Sequence, residues 1–318
     1  MAAQVLRAAT RGSKLALAQT AWVIEQLRNL FPEKNFEPYI VKTTGDAVSE
    51  KAGAPPGKGI FVKEIEDALL RGEAAFAVHS LKDLPVELPE GLAIAAIPER
   101  EDPRDALISR TGARLSELPP GAVVGTSSLR RAAQLLAARP DLRVEPVRGN
   151  LDTRIAKLTG ARESPVAYDA IVVAAAGCRR LGLDDAITEF LPADLVLPAP
   201  GQGALAIETR EDDAATRAVV TAIKNEAARG ATEAERACLR ALGGGCRVPI
   251  AAYAEVAGDS LLLRARVCSP EGRDIVEGRR TGPPAESEAL GAALATELLE
   301  RGAKRLIVQS EPEDRRSQ

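Results

Sequence analysis

Apolar positions along this chain follow two alternating spacings. Residues 5–9 form a short apolar run of strand type. Residues 15–30 place apolar side chains at helical intervals just after Ser13, whose hydroxyl suits a helix N-cap. Residues 38–42 read as a second strand, 59–71 contain a second helix, and 75–79 and 92–97 are short apolar strands. The charged, proline-bearing stretch 99–105 predicts a crossover between domains. The alternation then resumes, with strands at 122–125, 142–147 and 170–174, helices at 128–139 and 152–158, and a polar, aperiodic loop at 159–167. Strands separated by helices of this length predict βαβ units, and so two α/β lobes on mixed, mostly parallel sheets.

Residues 195–203, rich in proline and glycine, predict the return toward the first lobe, and with the earlier crossover they form a candidate hinge. From residue 221 the pattern changes: helices at 232–241 and 286–301 flank three strands, 251–256, 261–267 and 274–280, that suit antiparallel pairing. The predicted division is domain 1 at 1–98 and 199–220, domain 2 at 103–197, a small α+β domain 3 at 221–312, and a disordered tail at 313–318. No repeat of short period is visible.

Composition narrows the functions open to such a chain. Its 318 residues are 45% hydrophobic but only 3% aromatic, so the cores are built from Ala, Leu and Val. The net charge of −3 (42 basic against 45 acidic side chains) gives no general attraction to nucleic acid or to anionic membranes. No apolar run approaches the roughly 20 residues needed to span a bilayer. The N-terminus lacks a signal-peptide pattern, which predicts a cytoplasmic protein. The 4 cysteines are widely spaced, without the close pairs of a structural zinc site, so neither a disulfide framework nor a bound metal is expected.

Two groups of residues suggest chemistry. Leu242-Gly-Gly-Gly-Cys246-Arg-Val-Pro249-Ile250 places a thiol on a glycine-rich loop where backbone and ligand can approach the sulfur; a glycine C-cap followed by an incidental cysteine would read the same way. Basic residues meanwhile gather after strands: Arg11-Gly-Ser13, Lys58-Gly59, Thr126-Ser-Ser-Leu-Arg130-Arg131 and Arg148-Gly-Asn-Leu-Asp-Thr-Arg154. Helix N-termini at the carboxyl ends of parallel strands are where open α/β sheets bind anions. Two arginines in one helical turn are unfavourable unless an anion compensates them, and guanidinium forks match carboxylate or phosphate, so a small polyanionic ligand is expected. Asp83, in His79-Ser-Leu-Lys82-Asp83-Leu-Pro85, ends a strand among these bases and could hydrogen-bond a ligand N–H or move a proton; capping the local turn is its other reading. His79, the single histidine, reads as a packed residue without a catalytic role.

Taken together these stretches, with Gly57-Lys58-Gly59-Ile-Phe61-Val-Lys63-Glu64, Glu101-Asp-Pro-Arg-Asp105 and Leu197-Pro-Ala-Pro-Gly-Gln202-Gly203, resemble the porphobilinogen deaminase (hydroxymethylbilane synthase) family over nearly the whole chain. The resemblance implies two lobes similar to periplasmic binding proteins plus a small third domain. It implies a transferase that joins porphobilinogen units head to tail, with loss of ammonia, and releases hydroxymethylbilane by hydrolysis. It also implies a dipyrromethane cofactor bound to Cys246 as a thioether, and Asp83 as the catalytic carboxylate. By the same resemblance Lys82, Asp83, Thr126, Ser127, Ser128, Arg130, Arg131, Arg148 and Gly149 hold the cofactor. Arg11, Ser13, Gln19, Lys58, Arg148, Arg154, Arg180 and Gln202 contact substrate, the arginines taking acetate and propionate groups. No metal is implied, and a monomer without nucleic-acid or membrane partners is. The chain departs from the family at 53–56, where many relatives carry a lysine and Lys51 is the nearest one here, and at Gly243 and Arg247. A two-lobed protein that only captures a dicarboxylate shares this fold; a nucleic-acid role has too few aromatics for stacking.

Overall fold

The computed structural model describes residues 5–43, 62–243 and 248–310. In chain order its elements begin with β1 (Val5–Arg11), α1 (Lys14–Leu30), β2 (Asn35–Val41), α2 (Lys63–Leu70), β3 (Phe76–Ser80) and β4 (Leu92–Ala96). Next come β5 (Asp105–Ser109), β6 (Val123–Gly125), α3 (Leu129–Ala138), β7 (Arg143–Glu145), α4 (Leu151–Thr159), β8 (Ala170–Ala174), α5 (Ala175–Arg180) and β9 (Glu189–Leu191). The remainder is β10 (Leu205–Arg210), α6 (Ala214–Val220), α7 (Glu226–Ala241), β11 (Ile250–Ala257), β12 (Ser260–Cys268), β13 (Ile275–Gly282), α8 (Ser287–Leu298) and α9 (Lys304–Gln309). Residue contacts divide the chain into two compact units: Met1–Glu101 with Gly203–Arg229, and Asp102–Gln202 with Gly230–Gln318.

In the first unit, described residues form a five-stranded sheet ordered β2-β1-β3-β10-β4. β1 pairs in parallel with β2 and β3, whereas β10 runs antiparallel to both β3 and β4. Successive side chains of a strand face opposite sides, and the sequence uses this on both faces. Ala8, Phe76, Val78, Leu205 and Ile207 pack against Val23, Ile24 and Leu27 of α1. Ala9 and Ala77 face Ile65 and Leu69 of α2. Small alanines on the crowded strands let helices approach on both sides.

The second unit repeats that arrangement with other residues: its five-stranded sheet runs β7-β6-β8-β5-β9, with β6 parallel to β7 and β8 and β5 antiparallel to β8 and β9. Leu107, Val124 and Val172 pack with Leu135 of α3, while Ala106, Ile108, Ile171 and Val173 pack with Leu158 of α4 and Cys178 of α5. In each sheet the strand that opposes the rest is the one that follows a chain crossing, β10 or β5. The mostly parallel sheets expected from the alternation are therefore present, with one reversed strand in each.

The antiparallel sheet β11-β12-β13 belongs to the same compact unit. Leu261, Leu263, Ala265 and Val267 bury against Ala234 and Cys238 of α7 and Leu294 and Leu298 of α8. Gly291 brings α8 onto α7: a Cβ there would stand 2.3 Å from Ala234 O. Glu235, fully buried, accepts from Ala254 N at 2.8 Å and Gly201 N at 2.6 Å, so it joins this sheet to the Pro–Gly segment. Arg266 of β12 donates to Gln134 Oε1 at 2.9 Å, and a Cβ on Gly272 would meet Ala133 O at 2.1 Å, so the β12–β13 turn rests directly on α3.

Several boundaries differ from the sequence expectation. β7 is confined to Arg143–Glu145 rather than 142–147, α7 starts at Glu226 rather than 232, and the helix expected over 286–301 is α8 running into a π-turn at Leu299–Ala303, with α9 following beyond the expected end. Asp105, read as the end of a crossover, is the first residue of β5. β5, β9, β10, α5 and α6 lie outside the sequence expectation. The expected tail at 313–318 lies outside the described residues.

Candidate active site

In the first unit the residues of interest follow the C-terminal ends of β1 and β3. Ser13 caps α1, its Oγ accepting from Ala16 N at 3.3 Å, as its position predicted. Arg11, half-buried, is the last residue of β1. Gln19, buried on α1, donates from Nε2 to Ser80 Oγ at 2.9 Å. After Ser80 the chain makes a single 3₁₀ turn, Leu81–Asp83. Leu81 and Leu84 are buried at either end, and Leu81 N donates to Ala204 O at 3.0 Å. Lys82 is therefore half-buried and Asp83 exposed. The Asp83 carboxylate has no hydrogen bond or ion pair among the described residues. It does not cap the turn that carries it.

His79, one residue before Ser80, points the other way, into the core, where Nε2 lies 2.9 Å from Glu208 Oε2. The packed role expected of it is the one observed. Glu66 of α2 is buried and electrostatically coupled to the same pair; burial, then the Glu208 charge, push its carboxyl up to about 7.

In the second unit the residues follow β6, β7 and β8. Thr126, Ser127 and Ser128 spend their hydroxyls on the strand-to-helix junction: Thr126 Oγ1 accepts from Ser128 N at 3.2 Å, Ser127 Oγ donates to Val147 O at 2.8 Å, and Ser128 Oγ accepts from Arg131 N at 3.4 Å. After β7 the chain turns through Gly149 at φ 110°, where a Cβ would stand 2.6 Å from Thr153 Cγ2, so only glycine fits. Arg148 is exposed at this turn, and Arg154 folds back to donate from Nε to Gly149 O at 2.8 Å. Arg180, half-buried, ends α5.

Arg130 and Arg131 require a correction. The anionic counter-charge that this pair requires comes from the chain itself and not from a ligand. Arg130 Nη1 donates to Asp105 Oδ2 at 2.7 Å and Arg131 Nε to Asp105 Oδ1 at 2.8 Å, all three residues being buried. Burial alone would raise the Asp105 carboxyl, but the two guanidinium charges and the hydrogen bonds from Arg130 and Gln202 hold it far below the ordinary carboxylate range. Gln202, expected as a ligand contact, is fully buried: Nε2 donates to Pro103 O at 2.7 Å and Asp105 Oδ1 at 2.9 Å, and Oε1 accepts from Arg131 at 3.4 Å. Sequence reading passed over Asp105, although an acid opening the apolar run Ala106–Ile108 is the signal that marks it.

Cys246 and Lys58 lie outside the described residues, as do Lys51 and Arg247. The flanks of the Cys246 loop are described: Leu242 and Val248 are buried in the core of the third sheet. The remaining cysteines, Cys178, Cys238 and Cys268, are buried, and burial pushes their thiols up to about 11, 12 and 11, so they stay protonated and unreactive. Among the described residues no cluster of His, Cys, Asp or Glu could hold a metal ion, and no helix is long and apolar enough to cross a membrane.

Comparison with known proteins places this arrangement. The family profile described as "Porphobilinogen deaminase, dipyromethane cofactor binding domain" matches residues 6–218, and that described as "Porphobilinogen deaminase, C-terminal domain" matches residues 231–300. The chain is 51% identical to the porphobilinogen deaminase of Geobacillus kaustophilus over 303 residues, covering 94% of this chain and 95% of the relative. It is 50% identical to that of Desulforudis audaxviator, covering 94% and 96%, and 48% identical to that of Thermus thermophilus, covering 96% and 99%. Among solved structures, a periplasmic domain of Bordetella pertussis BvgS aligns at a TM-score of 0.39 and 16% identity, over 68% of this chain and 85% of that one. On the two profile matches and these near-complete alignments, the chain belongs to the porphobilinogen deaminase family.

Proposed function

We propose that this chain joins four porphobilinogen units head to tail, with loss of ammonia, onto a dipyrromethane carried on Cys246 as a thioether, and releases hydroxymethylbilane by hydrolysis. The observation that carries the reading is the Asp83 turn. Buried leucines hold it on both sides, and it presents a carboxylate that the described protein leaves unpaired. A carboxylate so placed can accept a pyrrole N–H, lower the energy of positive charge developing on that ring, and take up a proton as ammonia leaves.

The residues present fit a dipyrromethane, a group that bears several carboxylates and whose open α-carbon accepts the next unit. Arg148, exposed on the Gly149 turn, and Arg130, at the head of α3, offer guanidinium donors at the carboxyl ends of parallel strands. Arg11, Arg154 and Arg180 extend the donor set for acetate and propionate groups of the growing chain. The glycines before Cys246 admit a bulky substituent on sulfur, and the low reactivity of the other thiols leaves this one for alkylation. The third sheet with α7 and α8 acts as a third domain that carries the thioether. The enzyme works as a cytoplasmic monomer, without nucleic-acid or membrane partners.

The test is turnover with porphobilinogen as the sole substrate, following ammonia and linear tetrapyrrole together. Asp83→Asn is expected to fold and keep its cofactor but to lose at least about 100-fold in turnover. Near-normal turnover removes Asp83 from the mechanism. Tight porphobilinogen binding without ammonia release by the wild type makes the chain a binding protein instead.

A further inference from the structure

Arg130 and Arg131 hold Asp105 in unequal ways. Arg131 brings its side-on edge to the acid, with Nε and Nη2 each 2.8 Å from Oδ1. Arg130 touches Asp105 through Nη1 alone, and the same nitrogen donates to Leu197 O at 2.7 Å. The Nε–Nη2 edge of Arg130 has no acceptor among the described residues. That edge carries the two parallel N–H groups that grip a carboxylate in bidentate fashion.

We propose that Asp105 is a positioning residue for ligand binding: by anchoring Arg130 through Nη1 and Arg131 through its side edge, it fixes the Arg130 guanidinium with its bidentate edge open to a pyrrole carboxylate. This deepens the functional reading above and rests on its placement of a carboxylate at Arg130. Three features make the anchor rigid. Asp105 is fully buried, both its oxygens are engaged, and Gln202 donates to it at 2.9 Å while also bonding Pro103 O. Gln134, one turn along α3, holds Leu197 from both sides, accepting from its N at 2.9 Å and donating to its O at 3.1 Å. The carbonyl that shares Arg130 Nη1 is thus itself fixed. Removing the Asp105 charge would leave two buried guanidiniums side by side without the acid that sets their planes, and a buried cation that loses its partner reorients toward other acceptors.

The experiment is the rate at which purified chain, freed of cofactor, gains the mass of a dipyrromethane when incubated with porphobilinogen, with circular dichroism confirming the fold of each variant. Asp105→Asn is expected to load at least about tenfold more slowly than wild type, the loss of one charge-assisted contact. Asp105→Glu, which keeps the charge but displaces it by a methylene, should fall between the two. Asp105→Asn loading at the wild-type rate overturns the proposal. If Asp105→Asn does not fold, Asp105→Glu decides: slowed loading by folded protein supports positioning, and an unchanged rate overturns it. Arg130→Leu separates this from the functional reading. If Arg130→Leu loads normally, no carboxylate sits there and the site assignment fails; if it fails to load while Asp105→Asn loads normally, only the role of Asp105 falls.

Discussion

Gln19 Nε2 donates to Ser80 Oγ at 2.9 Å, joining the first helix to the last residue of the strand that leads into the Asp83 turn. Gln19 is buried, so its amide acts on that turn from behind. Gln19→Leu should cost about 1 kcal/mol of stability and lower kcat several-fold through a loosened Asp83. Ser80→Ala should reproduce the kcat effect, because it removes the same bond from the other side. Steady-state kinetics on both variants checks this. A silent Ser80→Ala beside an impaired Gln19→Leu would mean that Gln19 acts on substrate directly.

Glu66 gives the enzyme a pH-dependent cost in stability. Burial and then the Glu208 charge raise its folded-state carboxyl to about 7, with Asp67 adding to and His79 offsetting the rise. The unfolded chain has this group at about 4.5, so on raising the pH it loses the proton first. Stability contributed here therefore falls as pH rises from about 4.5 to about 7 and is constant above that. Glu66→Gln should be more stable than wild type by about 1–3 kcal/mol at about pH 8, and equal to it near about pH 4. Denaturant unfolding at the two pH values checks this; a variant weaker than wild type at the higher pH contradicts it.

Gly291 is the contact point of α8 on α7, the helix that runs into the Cys246 loop. A Cβ would sit 2.3 Å from Ala234 O and 2.8 Å from Ala237 Cβ, and a helix backbone cannot yield as a side-chain tip can. Gly291→Ala should destabilise the chain by about 2–3 kcal/mol, read as a lower Tm. An unchanged Tm would show that the two helices are not held this closely.

The elements legible in the sequence were those whose signal is local. Ser13 marked its helix because an N-cap bonds only a few residues ahead. The strands of the third sheet were visible because Leu261, Leu263, Ala265 and Val267 alternate with Leu262, Arg264 and Arg266, which are more exposed. β5 and β10 were hidden for a shared reason. Each is buried on both faces yet carries an acid, Asp105 or Glu208, whose partners are Arg130 and Arg131 or His79, far off in sequence. Without those partners an acid in a strand reads as loop. The same non-locality misdirected the reading of the arginine pair. Its placement after a strand was visible, but a counter-ion 25 residues away was not. The turn at Asp83 was legible because the residues that form it are contiguous in sequence.

The central claim is a dipyrromethane covalently attached at Cys246. Intact mass of the purified chain beside Cys246→Ser tests it most directly, since the described cysteines are buried and protonated. The account predicts that the wild type carries the added mass of two linked pyrroles, either as isolated or after incubation with porphobilinogen, and that Cys246→Ser never does. A wild type that keeps its bare sequence mass after that incubation, or a Cys246→Ser chain that gains the same adduct, would contradict it.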